Sequence, residues 1–287
     1  MTAVAARRLA VAAALLLGGA LLTAGSVQAD TGYLPYSCEL PDPIGTTELL
    51  IRADTNAPTP LYLGTSVVPV LTTNAQVPPG LANAVAALGA RSVDGTIVSK
   101  LSTNGVVTPV TQKIKKQSIP SSTKVPVTVV ATGPMRRLTA KGPGSTTYLP
   151  GDLLVSLSFY SSNGGSVASF SDLDCSVPST TKLVDKVPYA TSPTKVTPTA
   201  KYSAGKKKVT AGVRVTATSK LVPSGKVTAV LYKGSKKLKT VSATLKSGKA
   251  TATFGGVSKK GSYKVVVSYA GSPVTKPSVG TKSFTVR

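Results

Sequence analysis

The stretch Val209-Thr210-Ala211-Gly212-Val213-Arg214-Val215-Thr216-Ala217-Thr218 decides how this chain is read. Apolar and polar residues change places at nearly every step. Successive side chains of an extended backbone point to opposite faces, so the beat marks a strand with one buried and one wet face. Similar alternation recurs at residues 226–232, 249–254 and 261–269, each run opened by a turn residue such as Gly225, Gly248 or Gly261. Residues 199–287 therefore read as a small β-sandwich.

Working outward, the chain of 287 residues has room for about two domains. Hydrophobic residues make up 41%, too many for a disordered chain, while 26 Gly and 21 Pro among many Thr, Ser and Val favour strands and turns. Strands are expected at residues 48–53, 66–72, 93–101, 151–160 and 167–177. Another is expected at 125–131, placed on a sheet edge because of Pro126. Asn104-Gly105 and Asn163-Gly164-Gly165 mark hairpin turns. Leu81, Ala84, Val85 and Leu88 recur at helical spacing and are closed by Gly89, which predicts one short helix. Residues 30–180 thus read as an antiparallel β-sandwich. Residues 181–198, with Pro188, Pro193 and Pro198 among Thr, Ser and Lys, read as an extended linker. The whole is expected to be all-β: two β-sandwich domains behind a leader.

That leader is residues 1–29. Arg7 and Arg8 form a positive start, residues 9–22 are apolar, and Val27-Gln28-Ala29 offers small residues for cleavage. The apolar run is short for a membrane span of ~20 residues, and no second run exists. The arginine pair is a weak match to a twin-arginine signal, so general secretion is expected. The mature chain then holds two cysteines, Cys38 and Cys175, and in an exported protein such a pair reads as a disulfide rather than two buried thiols.

Charge divides the chain. All 10 acidic residues fall between Asp30 and Asp185, where 11 Lys or Arg balance them; from Lys186 onward there are 21 basic residues and no acid. The clusters Lys206-Lys207-Lys208 and Lys236-Lys237 with Lys239 sit at predicted turns, as do Lys259 and Lys260. This asymmetry predicts a polyanionic partner for the second half, with a merely solvated face as the alternative. Lysines meet anions as point charges, not forks, and aromatics do not interleave with them, so sequence-specific nucleic-acid readout is not expected.

Several chemistries are excluded. The chain has no His, which removes Ser-His-Asp and Cys-His catalysis and the His-based zinc sites. Gly142-Pro143-Gly144 and Gly255-Gly256 read as turns, not phosphate loops. Asp172 and Asp174 are the one spaced carboxylate pair beside a cysteine, a weak candidate for calcium or glycosidic chemistry. No cofactor is expected, and the chain reads as a non-enzyme.

Two resemblances follow from particular motifs. Tyr36-Ser37-Cys38, Pro79-Gly80-Leu81, Ser92-Val93-Asp94-Gly95-Thr96, Gly151-Asp152-Leu153 and Asp174-Cys175-Ser176-Val177-Pro178 resemble a domain of unknown function found in exported proteins of Gram-positive actinobacteria. It would cover roughly residues 33–187 and implies an extracytoplasmic β-domain without known catalytic residues. Residues 209–218, Pro223-Ser224-Gly225, Gly261 and Tyr269-Ala270-Gly271 resemble the bacterial immunoglobulin-like repeat family, which implies an immunoglobulin-like sandwich. The Asp that commonly follows the last glycine of that family is absent. With no Asn or acid in the tail, an internal Lys–Asn crosslink there is also excluded.

These readings predict an exported protein, secreted or held non-covalently on the cell wall, whose basic domain contacts anionic surface polymers. The alternatives are a structural spacer with no ligand and, least favoured, a hydrolase in the first domain.

Overall fold

The computed structural model describes residues 31–42, 44–180 and 182–287. The predicted leader lies outside the described residues. In chain order the first unit comprises β1 (Leu34–Leu40), β2 (Gly45–Thr55), β3 (Leu61–Tyr62), β4 (Ser66–Val67), β5 (Val70–Val77), α1 (Pro79–Ala87), β6 (Ser92–Thr103), β7 (Val106–Ser118), β8 (Val127–Pro134), β9 (Leu138–Thr139), β10 (Gly144–Leu149), β11 (Leu153–Tyr160), β12 (Ser166–Ser176) and β13 (Asp185–Ala190). The second comprises β14 (Thr194–Pro198), β15 (Lys201–Ser203), β16 (Lys208–Ala217), β17 (Lys226–Lys233), β18 (Lys236–Thr244), β19 (Lys249–Gly255), β20 (Gly261–Tyr269) and β21 (Ser278–Val286).

The all-β expectation holds, but the first unit is not two facing sheets. Its strands follow the order β11-β12-β1-β2-β5-β8-β7-β6, and β6 pairs back onto β11 from Ser92↔Tyr160 to Ser99↔Leu153, closing an eight-stranded barrel. Alternation looks the same along a strand whether the buried face meets a second sheet or the far wall of a barrel, so period two cannot separate the two. A Cβ at Gly95 would lie 2.0 Å from the Ser156 carbonyl oxygen of β11, and one at Gly133 would lie 2.2 Å from that of Thr111 in β7. Only glycine admits so close a backbone approach. Gly95 also sits at a register shift between β6 and β7, the bulge expected where a strand bends around a barrel.

Pro126 does not make an edge. β8 begins one residue later, at Val127, and is flanked by β5 and β7. The expected single strand at 66–72 is split, with β4 and β5 on either side of Val68-Pro69. The predicted helix is α1, beginning two residues early with Pro at its first turn. The Cys38–Cys175 disulfide joins directly opposed residues of β1 and β12.

A polar layer crosses the barrel interior. The fully buried Gln112 donates from Nε2 to the Leu71 carbonyl at 3.2 Å and to the Ala131 carbonyl at 3.3 Å, and its Oε1 accepts from Thr73 Oγ1 at 3.0 Å. Ser99 Oγ donates back to Gln112 Oε1 at 2.7 Å. Every polar atom of this amide has a partner, so its burial costs little. The layer separates one apolar compartment, around Cys38, Ile51, Ile97 and Leu153, from another around Leu71, Leu101, Val110 and Tyr148.

Where a linker is expected, residues 185–198 hold two strands. β13 pairs with β10 and runs parallel to β3, with Val184 and Val187 fully buried; β14 pairs with β16 of the second unit. Pro188 leaves β13 intact because β3 pairs only with Tyr189 and Ala190, so one side of the strand is open at the proline, and Pro198 ends the edge strand β14. Ser192, between the two strands, donates its N–H to the Val274 carbonyl at 2.9 Å and accepts from Lys276 N–H at 2.8 Å. Val274 in turn packs on the Leu61–Leu63 side of the first unit's core. The two units are therefore joined by these backbone bonds at Ser192 and by apolar contact.

Asp185, fully buried at the start of β13, accepts from Thr55 Oγ1 and from Lys186 N–H. Burial pushes its carboxyl above the usual range, although both bonds pull the other way. A raised folded value means the folded protein holds this proton more tightly than the unfolded chain. The group's contribution to stability is thus present at low pH and lost as pH rises through the folded value. Asp185→Asn, similar in shape and always neutral, is expected to gain in melting temperature relative to the parent at pH 7 and to lose that gain near pH 4. Thermal unfolding of both proteins across this range is the check.

The second unit is a two-sheet sandwich. β14, β15 and β19 flank β16 in one sheet, and the other runs β18-β17-β20-β21. Val209, Ala211, Val213 and Val215, four of the five apolar residues of the opening decapeptide, are buried and share a core with Ala229, Leu231, Val265 and Val267, while Ala217 at the strand end is half-buried. Among the described residues no helix is long and apolar enough to cross a membrane.

Candidate functional site

The lysine clusters occupy turns and strand starts that the topology brings to one end of the sandwich. β15 ends at Ser203 and β16 begins at Lys208, so Lys206 and Lys207 project from the turn between them. Lys207 has φ +44, a left-handed conformation that turns favour. The β17–β18 hairpin turns at Gly234 between the paired residues Lys233 and Lys236. Lys233 also pairs with Tyr263 of β20, which places the loop carrying Lys259 and Lys260 beside the hairpin. β21 ends at Val286 opposite Gly261, leaving Arg287 at the same end.

Hydrogen bonds tie these turns across the two sheets. Val257 N–H donates to the Lys207 carbonyl at 2.8 Å, and Tyr202 OH donates to the Val257 carbonyl at 3.0 Å. Tyr263 OH holds the Lys259 carbonyl at 2.6 Å. Lys239 Nζ donates to the Gly255 carbonyl at 2.6 Å, and Gly255 is the register partner of Lys208. The six predicted residues, Lys206, Lys207, Lys208, Lys236, Lys237 and Lys239, therefore share one end of the domain. All are exposed except Lys208, which is half-buried.

Of the six, only Lys206 and Lys207 lie in a turn; Lys208 opens β16, Lys236 and Lys237 open β18, and Lys239 lies further along β18, its ammonium spent on a backbone carbonyl. The predicted set also left out Lys233, Lys259, Lys260 and Arg287. Lys233 lies 5.7 Å from the centre of the Tyr263 ring, and Lys264 lies 5.2 Å from that of Tyr232, so aromatic faces steady two more cations at this end. Strand ends are visible in the sequence; their shared end of the sandwich is a property of the antiparallel order.

Tyr263 and Tyr269 are core residues, and Tyr202 and Tyr232 are half-buried. Tyr269 OH donates to the Ser224 carbonyl at 2.9 Å, anchoring the turn before β17 at the opposite end.

In the first unit Asp172 and Asp174 both face out from β12, and Asp172 sits in a bulge with φ +57. Among the described residues no three His, Cys, Asp or Glu side chains come close enough to share a metal ion. Tyr36 and Tyr148 are buried. Tyr36 OH reaches the Gly151 carbonyl at 3.3 Å, and burial, with Asp152 nearby, raises its phenol above the usual value. The Tyr148 phenol is pushed up to about 12 by burial, then by Tyr189 and Asp185. Neither phenol is poised to ionise near neutral pH. A shallow cleft of about 320 Å³ beside Tyr148 is walled by Asn104, Met135, Arg136 and Arg137.

The barrel, its cross-strand disulfide and α1 fall within residues 35–184, which match a family of unknown function, DUF6801, over a little over half of the chain. The chain belongs to the DUF6801 family. No curated protein matches the chain. The DUF6801 match stops one residue before β13, so the strand that completes the side sheet of the barrel, and the whole basic sandwich, lie beyond it.

Proposed function

We propose that this member of the DUF6801 family is a non-enzymatic, exported envelope protein whose C-terminal domain contacts anionic surface polymers by charge. The observation that carries the reading is the gathering of Lys206, Lys207, Lys236, Lys237, Lys259, Lys260 and Arg287 on one end of a domain that has no acidic residue. Repulsion among these cations goes uncompensated within the domain, and a polyanion would relieve it. Teichoic acids are polymers of this class. The Cys38–Cys175 bond supports an oxidising, extracytoplasmic setting. The separation of β16 and β19 from β17, β20 and β21 supports the immunoglobulin-like reading of the tail. The junction at Ser192 would hold the basic end away from the barrel.

Fractionating an expressing culture into medium, wall and membrane tests this. Wall-bound protein released by ~1 M salt is the expected result, because screening at that strength confines charge effects to about 3 Å. Protein found only in the medium, or wall-bound through the salt wash, would contradict it.

A further inference from the structure

The end of the barrel away from α1 is open and cationic. α1 leads into the start of β6, and the β6–β7 turn at Asn104-Gly105 lies at the other end of these strands. There the inward series of β7, Gln112 and Val110, continues through half-buried Thr108 to Val106, which is 67% exposed. These residues border the cleft of about 320 Å³, and its exposed rim of Asn104, Val106, Arg136 and Arg137 opens it to solvent. Its floor is apolar: Val110, Met135, Leu138 and the Tyr148 side chain are all buried. Both arginines come from the loop between β8 and β9, which is pinned along its length. Met135 N–H donates to the Pro69 carbonyl at 2.8 Å, and Arg137 Nη1 donates to Ser66 Oγ at 3.2 Å. In the β6–β7 turn, Asn104 Oδ1 accepts from Thr147 N–H at 2.8 Å and from Thr147 Oγ1 at 3.1 Å. The amide oxygen is thereby turned to Thr147, and the Nδ2 donors are left for a guest. Among the described residues, no acidic side chain lines the cleft.

We propose that this cleft binds a small organic anion, a single phosphate or carboxylate group carried on a compact apolar body such as one ring. The mouths of β-barrels are favoured places for sites of this kind, with an apolar lining and a few fixed polar groups. Guanidinium forks match the oxygens of phosphate and carboxylate, and such charge-assisted bonds are about twice as strong as neutral ones. The floor argues against a bare inorganic ion, which would leave the four apolar side chains facing water. Volume limits the body. An apolar cavity of ~150 Å³ accepts benzene, so about 320 Å³ has room for one ring together with its anionic group. Every residue of the cleft lies within the DUF6801 match, and the proposal does not depend on the reading of the sandwich.

Calorimetric titration of the purified full chain with phenyl phosphate and with benzoate tests it. Salt of ~0.15 M confines charge effects to about 8 Å. The expected result is saturable binding of at least one probe at a single site, and the tighter of the two identifies the anionic group. Two comparisons on the parent protein need no variant. Inorganic phosphate lacks the ring and benzyl alcohol lacks the charge, so each should bind at least tenfold more weakly than the better probe. Arg136→Gln with Arg137→Gln should weaken the better probe at least tenfold at an unchanged melting temperature, since both side chains are exposed. Gln at the six predicted lysines should leave binding as in the parent, which separates this site from the basic end of the sandwich. The proposal is overturned if neither probe saturates, if inorganic phosphate binds as tightly as phenyl phosphate, if the folded double arginine variant binds undiminished, or if binding is lost with the six lysines.

Discussion

Replacing Lys206, Lys207, Lys208, Lys236, Lys237 and Lys239 by Gln is expected to weaken binding to an anionic polymer by at least about 100-fold at ~50 mM salt. Each lysine that neutralises a polymer charge releases counterions, and that release supplies most of the free energy in charge-driven association with polyanions. Removing six of the cations at one end leaves Lys233, Lys259, Lys260, Lys264 and Arg287, too few to keep the contact strong. The fold should survive. Surface lysines away from specific contacts contribute within about 0.5 kcal/mol. Lys239 is the exception: its bond to the Gly255 carbonyl is worth about 0.5–1.5 kcal/mol. Affinity for immobilised polyanion and the melting temperature, measured side by side, check both halves. A variant that binds as tightly as the parent, or one that no longer folds, would contradict the assignment.

Removing the Cys38–Cys175 bond, by reductant or by Cys38→Ala with Cys175→Ala, is expected to cost ~5 kcal/mol. The bridge closes a loop of 137 residues, and the chain-entropy cost of opening such a loop is of that size. For a domain this large the melting temperature of the barrel should fall by roughly 10–15 °C. The sandwich contains no cysteine, so its own transition should not move. Thermal unfolding with and without reductant checks this, and a shift of less than ~2 °C would contradict the entropic account.

The sequence showed strand character, turn positions and the helix, because each is set by neighbours along the chain. Val209 to Val215 alternated in writing and alternate in the sandwich core. Barrel closure was hidden, because it depends on Gly95 and Gly133 meeting backbones many residues away, and an isolated glycine in a strand reads the same at a bulge or in a loop. β13 and β14 were hidden behind prolines, which sit where one side of the strand has no partner. The charge clusters were legible one by one. Their meeting at one end was not, since it follows from Lys208 lying opposite Gly255 and Lys233 opposite Tyr263.

The claim that charge on the sandwich drives wall contact is tested most directly by the binding constant of the intact protein for purified wall polymer across salt concentrations. The account predicts a straight fall of log affinity with log salt, with a loss of about 10³-fold or more between 50 and 200 mM if six or more cations engage. An affinity that stays flat over that range would contradict it.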